Sequence, residues 1–170
     1  MRKLAVLAAT LAVTAGAAGA QQTPSPTASP PPSPPPYGAP IDLARAENVI
    51  AAAVAEATRR GWTMGVAVVD SGANLVAFAR MDGTQLAAAV IAEHKARAAA
   101  AFRRPTRAFE DAARNSAASL SLDGAIASAG GVPLVADGKL IGAVGCSGGA
   151  SAEDETTCLA GAATINGPGN

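Results

Sequence analysis

Proline is the residue that most constrains this chain, because nine of its twelve prolines lie between residues 24 and 40. A proline ring fixes φ and removes a backbone hydrogen-bond donor, so such a stretch cannot form a helix or an inner strand. We therefore predict an extended, solvated linker over residues 21–40. The remaining residues, 41–167, suffice for one ordinary domain and leave no room for a second.

The first twenty residues have the pattern of a secretory signal peptide. Arg2 and Lys3 precede an apolar run over residues 4–13, and small residues follow as far as a predicted cleavage site after Ala20. The alternative is a membrane anchor, but the apolar run is too short and too rich in small residues to hold a bilayer well. We predict that residues 1–20 are removed. The mature protein is then expected in the periplasm or the extracellular space, without a membrane span.

Charge and aromatic content argue against one class of partner. The 13 basic side chains equal the 13 acidic ones in number, and removal of Arg2 and Lys3 leaves a small excess of acid. Aromatic residues make up only 3% of the chain. A chain with no basic excess and few stacking rings is not expected to bind nucleic acid.

Helices and hairpins alternate in the part of the chain after the prolines. Helical spacing of apolar residues, with capping and breaking residues at the ends, predicts helices over residues 42–60, 84–102, 107–119 and 151–165. Short apolar runs flank turn residues at 70–73 and at Asp137-Gly138, which predicts two β-hairpins.

The predicted order is α-β-β-α-α-β-β-α. Hairpin strands are antiparallel neighbours, and amphipathic helices need a surface to cover. We therefore predict a single α+β domain, with an antiparallel β-sheet of four to five strands and flanking α-helices.

Two cysteines, Cys146 and Cys158, are the only sulfhydryl groups in the chain. In an oxidising compartment they can form a disulfide. The alternative is a pair of buried thiols that pack as small hydrophobic groups. The sequence leaves both alternatives open. The mass added by alkylation with and without reductant distinguishes a disulfide from free thiols.

Several blocks of this sequence resemble a known family. They are Val-Ala-Val-Val-Asp-Ser-Gly-Ala-Asn-Leu-Val-Ala-Phe-Ala-Arg-Met-Asp-Gly (66–83), Lys-Ala-Arg (95–97), Gly-Gly-Val-Pro-Leu (130–134), Gly-Ala-Val-Gly-Cys-Ser-Gly-Gly (142–149) and Glu-Asp-Glu (153–155). In this order they resemble the GlcG/HbpS family, which includes extracellular haem-binding proteins and the C-terminal domain of PduO-type adenosyltransferases. The resemblance extends over residues 42–165. It implies an antiparallel sheet with flanking helices, assembly into a homo-oligomer, and haem as the cofactor.

His94, the only histidine, is the candidate iron ligand. It lies on the second predicted helix at helical spacing from Ile91, Ala98 and Phe102, so we predict that its imidazole shares their apolar stripe. The alternative is a core or interface histidine bonded to a carbonyl group.

The other residues assigned to a haem site come from the family motifs and their surroundings. Lys95 is predicted to serve a site or a subunit contact, and a hydroxyl such as that of Thr106 is an alternative iron ligand. Acidic residues at 153–155 disfavour a phosphate at the glycine-rich loop before them, so its glycines are expected to approach a flat ligand or another backbone segment. With His94, the predicted cofactor-binding set is Lys95, Arg80, Phe102, Thr106, Gly148 and Gly149.

The residues show no nucleophile, base and orienting group of a recognisable enzyme. The leading hypothesis is an exported haem-binding protein that senses, stores or scavenges haem. A second hypothesis is a small-molecule enzyme or enzyme accessory that acts on an organic acid or a cofactor fragment. A third is a structural homo-oligomer without a ligand.

Overall fold

The computed structural model describes residues 33–167 as an α+β domain with four α-helices and four β-strands. In chain order the elements are α1 (Leu43–Arg60), β1 (Gly65–Asp70), β2 (Leu75–Arg80), α2 (Ala87–Phe102), α3 (Arg107–Asn115), a 3-10 helix (Ala117–Ser121), β3 (Gly131–Ala136), β4 (Lys139–Ser147) and α4 (Ser151–Asn166). The predicted fold class and element order are confirmed, and the sheet has four strands.

The sheet is antiparallel throughout, with the strand order β2-β1-β4-β3. Each hairpin supplies one inner strand, β1 or β4, and one edge strand. Val66 and Val68 of β1 point into one apolar core, while Ala67 and Val69 point into the other. Because helices cover both faces, this inner strand is apolar at every position from 65 to 69 rather than alternating.

The helices form one layer on each face of the sheet. α1 and α4 pack against each other and against the face that carries Val66 and Val144, whereas α2 packs alone on the opposite face. The inner side of α2 is almost entirely alanine. Small side chains on both surfaces therefore bring the backbones of α2 and the inner strands close together.

Gly145 of β4 marks the closest approach. A Cβ at this position would lie 2.0 Å from the carbonyl oxygen of Ala92 and 2.5 Å from the amide nitrogen of Ala96. Both are backbone atoms of α2, so they can move only if the helix itself moves.

We expect Gly145→Ala to lower the free energy of unfolding by about 2–3 kcal/mol, at the upper end of the usual cost of an added methyl group in a packed core. Urea denaturation followed by the fluorescence of Trp62 measures the effect. A variant as stable as the parent protein would contradict the close contact between α2 and β4.

Two predicted helix boundaries were wrong. α2 begins at Ala87 rather than at Thr84, and α3 ends at Asn115 rather than at residue 119. The backbone of Ser116 is extended, and its hydroxyl group accepts a hydrogen bond from the Ala118 amide, which starts the 3-10 helix. A serine that caps a new turn thus ends the preceding helix earlier than propensity alone indicates.

The last residues of the predicted linker are attached to the sheet, which corrects the prediction of a free tether up to residue 40. The Pro36 carbonyl group accepts a hydrogen bond from the Leu140 amide (2.8 Å), and the Gly38 amide donates to the Leu140 carbonyl group (2.7 Å). The Tyr37 hydroxyl donates to the Ala101 carbonyl oxygen (2.8 Å), and the Arg103 guanidinium lies 5.1 Å from the tyrosine ring centroid. Proline lacks a donor, but its carbonyl group still accepts, and glycine supplies the missing donor.

No helix within residues 33–167 combines the length and the apolar character needed to cross a bilayer. The predicted signal peptide, residues 1–20, and most of the predicted linker lie outside the described residues.

Candidate functional site

The predicted site residues on α2 point in opposite directions. His94 is exposed on the side of the helix away from the sheet, whereas Lys95 is 1% exposed and points inward. Consecutive residues of a helix are about 100° apart around its axis, so two neighbours can lie on different faces. The motif residue and the histidine therefore belong to two separate environments.

The exposed side of α2 carries apolar residues around His94. Val90, one turn before His94, is 73% exposed, and Leu86, just before the helix, is 80% exposed. A shallow depression of about 340 Å³ lies here, lined by Val90, Glu93, His94 and Arg97. No hydrogen bond joins the His94 imidazole to another group in the described part of the chain. The imidazole is thus available to an external ligand on a partly apolar surface.

This environment differs from the predicted one. Ile91, Ala98 and Phe102 were expected to share one apolar stripe with His94. Instead Ala98 is buried, Ile91 is half-buried, and Val90 faces solvent with His94. The apolar neighbour of His94 is Val90, four residues earlier on the same face, and the i, i+4 spacing of helices is the signal that identifies it.

Lys95 forms a buried ion pair with a residue that the sequence did not indicate. Its Nζ lies 2.6 Å from Oδ2 of Asp154, which is 3% exposed at the start of α4. The Gly149 amide donates to Oδ1 of the same carboxylate at 3.0 Å. Burial raises the pKa of the Asp154 carboxyl group, while Lys95 and the backbone amides act in the opposite direction. The pair connects helices on opposite faces of the sheet.

Two glycines leave space for this ion pair. A Cβ at Gly131 would lie 2.3 Å from the carbonyl oxygen of Lys95, and one at Gly130 would lie 2.8 Å from the Cβ of Asp154. A larger residue at either position would displace the lysine or the helix that carries it. The Gly-Gly block at the start of β3 therefore serves an internal contact.

Lys95 has an internal role in this structure, and its role in a ligand site or a subunit contact stays a prediction. Its ammonium group is paired with Asp154 in the interior. Thr106 is also fully buried, and its hydroxyl accepts a hydrogen bond from the Gly131 amide at 2.9 Å. Its role as an alternative iron ligand likewise stays a prediction.

The remaining predicted residues do not join His94 in one surface site. Phe102 packs edge to face against Phe109, with ring centroids 4.9 Å apart. Arg80 is exposed at the end of the edge strand β2. Gly148 and Gly149 lie in the turn before α4, where the Gly149 amide is already bound to Asp154. The predicted set is thus divided between the core, an edge strand and the outer side of α2.

Cys146 and Cys158 are joined by a disulfide, one of the two readings that the sequence left open. The bond connects β4 to α4, with the two Cα atoms 5.6 Å apart and both cysteines fully buried. Cys158 lies one turn beyond Asp154 on α4. The same helix is therefore attached to the rest of the domain by an ion pair and by a covalent bond.

A larger open cleft, of about 610 Å³, lies elsewhere, lined by Arg45, Asn48, Ala136, Asp137, Thr164 and Ile165. None of these residues belongs to the predicted site. Within residues 33–167, no group of three or more His, Cys, Asp or Glu side chains is arranged to hold a metal ion. His94, exposed on the outer side of α2, is a candidate iron ligand that the structure leaves accessible.

These features define a class of protein: a small antiparallel α+β domain, covered by helices on both faces, with a free imidazole on the outer side of one helix. The chain belongs to the HbpS-like family, because the family model described as haem degrading protein HbpS-like matches residues 41–163. The predicted family membership is confirmed.

Two kinds of similarity support this assignment. The chain is 42% identical over 103 residues to protein GlcG of Escherichia coli K12, an alignment that covers 60% of this chain and 77% of GlcG. It also superposes on the Streptomyces reticuli HbpS double mutant with a TM-score of 0.70 and 28% identity, covering 83% of this chain and 99% of HbpS.

A third similar protein has been crystallised with haem. The PduOC–haem complex superposes with a TM-score of 0.69 and 27% identity, covering 75% of this chain and 96% of PduOC. A relative with this fold therefore binds haem.

Proposed function

We propose that this protein binds haem on the outer side of α2, where the His94 imidazole would hold the iron, and that it does so outside the cytoplasm. The observation that carries the proposal is the exposed, unbonded imidazole of His94 beside the exposed side chain of Val90. Haem in a relative of the same fold supports the choice of ligand.

The residues around His94 fit the chemistry of haem. A neutral imidazole nitrogen is the commonest protein ligand of haem iron. Val90 and Leu86 offer apolar contact to a porphyrin face, and the Arg97 guanidinium, now paired with Glu93, is the nearby cation for a propionate group. When bound, haem supplies iron-centred redox chemistry, and these side chains hold and orient it.

Export is a further part of the proposal. The pattern of residues 1–20 supports it, and so does the disulfide, because such bonds persist in oxidising compartments. Sensing, storage or scavenging of haem are all compatible with a site on the protein surface. We also propose that the chain assembles into a homo-oligomer.

Titration with haemin tests the proposed site. We expect the parent protein to shift the Soret band of haemin, and His94→Ala to abolish this shift because it removes the iron ligand. The matched control is Asn48→Ala, an exposed helical position on α1 that should leave the shifted band unchanged. If albumin removes haemin from the parent protein as readily as it takes up free haemin, the proposal is contradicted. If the band is unchanged in His94→Ala, His94 is not the iron ligand.

A further inference from the structure

The outer side of α2 has a regular spacing that the haem proposal does not require. Its residues recur at intervals of three and four, and every one of them is exposed: Ala87, Val90, His94, Arg97 and Ala101. We call these five residues the outer stripe. A 3-4-3-4 spacing of residues along one face is the pattern by which one helix packs against another. Among residues 33–167, the Tyr37 hydroxyl bonds to the carbonyl group of Ala101 at one end of the stripe, and all five residues remain exposed.

The outer stripe offers a haem group only one wall. The depression beside His94 is open to solvent, and Val90 remains 73% exposed. Binding sites for ligands of this size usually enclose most of the ligand surface. A single chain would therefore cover one face of the porphyrin and leave the other face in water.

We infer that two copies of this chain pair through their outer stripes and hold one haem between them, with His94 of each copy as a ligand that would hold its iron. This inference rests on the proposed function. His94 is the central residue of the five in the outer stripe, so an antiparallel pairing about a two-fold axis places the two imidazoles opposite each other. The second copy supplies both the missing wall and the second ligand.

The charges on the stripe are self-complementary in this arrangement. Glu93 and Arg97 flank His94 and form an ion pair within one chain. Antiparallel pairing about His94 brings Glu93 of each copy within one turn of Arg97 of the other. Opposite charges then meet twice across the interface, which favours this orientation over a parallel one.

The residues at the ends of the stripe are small. Pairing about His94 sets Ala87 of one copy opposite Ala101 of the other, and Val90 opposite Arg97. Alanine at both ends does not obstruct the approach of the second copy, and the aliphatic part of the arginine side chain can contact Val90.

The stoichiometry of haemin binding tests the pairing. We expect the absorbance titration to end at about 0.5 haem per chain, as a two-fold site requires. The spectrum should be that of low-spin iron with two imidazole ligands, and light scattering should show two chains joined for each haem bound. An end point at one haem per chain, without a change in mass, would overturn the pairing while leaving His94 as the ligand.

Charges at the ends of the stripe separate the pairing from the binding of haem, because Ala87 and Ala101 lie two turns from His94. Ala87→Glu/Ala101→Glu places like charges opposite each other at both ends, so we expect it to move the end point toward one haem per chain with high-spin iron and a retained Soret shift. Ala87→Glu/Ala101→Arg places opposite charges there and should keep the parent stoichiometry and spectrum. If Ala87→Glu/Ala101→Glu binds haem as the parent does, the pairing is wrong. If the parent protein itself does not shift the Soret band, both the proposed function and the pairing are wrong.

Discussion

Replacement of Lys95 by methionine is expected to lower the free energy of unfolding by about 3–5 kcal/mol, the usual cost of removing one partner from a buried ion pair. Methionine keeps the length and most of the volume of the side chain but removes the ammonium group. The Asp154 carboxylate, 3% exposed, is then left in the interior without its cation. Urea denaturation followed by Trp62 fluorescence measures the loss.

The size of this effect follows from where the ion pair lies. Lys95 comes from α2 on one face of the sheet, and Asp154 belongs to α4 on the other face. The backbone at Gly130 and Gly131 packs directly against the pair. Loss of the ammonium group leaves backbone amides, those of Gly149 and Gly148, as the donors to this buried carboxylate.

Two further variants make the test specific. Lys95→Met/Asp154→Asn removes both charges and keeps an amide oxygen for the Gly149 amide, so it should recover more than half of the stability lost in Lys95→Met. Arg59→Met breaks an exposed ion pair with Glu56 and should leave the midpoint close to that of the parent protein. Equal and small shifts in Lys95→Met and Arg59→Met would show that the Lys95 contact is not a buried one.

The hairpins and most helix ends could be predicted because the residues that form them act locally. Asp137 and Gly138 have φ angles of 49° and 71°, the left-handed conformation that an Asp-Gly turn adopts in a two-residue hairpin. Asp42 caps α1 by accepting a hydrogen bond from the Arg45 amide, and Gly61 ends the same helix with positive φ. These signals span only a few residues, so no knowledge of the tertiary structure was needed.

The burial of Lys95 could not be predicted, because nothing near it in sequence indicates its partner. It stands between an exposed histidine and a buried alanine, and Asp154 lies 59 residues away. The space for the pair depends on glycines of a third element. A buried lysine is therefore a property of the assembled layers, and local sequence assigned it to a surface site instead.

The orientation of α2 was mispredicted for a different reason. Apolar periodicity identifies the buried face of a helix when large apolar residues on one side alternate with polar residues on the other. The inner side of this helix consists mainly of alanine, which gives little such contrast. The bulky apolar residues Ile91 and Phe102 therefore suggested the stripe that His94 would share, while the close approach at Gly145 selected the alanine face. The outer stripe around His94 therefore faces solvent. The same packing that buries Lys95 thus presents the imidazole to solvent.

Removal of the disulfide is the second change with a large expected effect. Cys146 and Cys158 are 12 positions apart in sequence, and a covalent loop of this size stabilises a fold by about 3 kcal/mol, mainly by restricting the unfolded chain. We expect the parent protein, unfolded and refolded in the presence of reductant, to lose about this much stability relative to the oxidised protein. Both sulfur atoms are buried, so reductant should act on the unfolded chain and not on the native protein.

The double variant Cys146→Ala/Cys158→Ala is the matched control, because it should give the same urea midpoint with and without reductant. Mass spectrometry after alkylation in denaturant identifies the bond directly: the oxidised parent should take up no alkyl groups without reductant and two with it. Uptake of two groups without reductant would mean that the thiols are free. The stability of the parent protein would then not depend on reductant. In that case packing and the Lys95–Asp154 ion pair alone would hold α4 to the sheet.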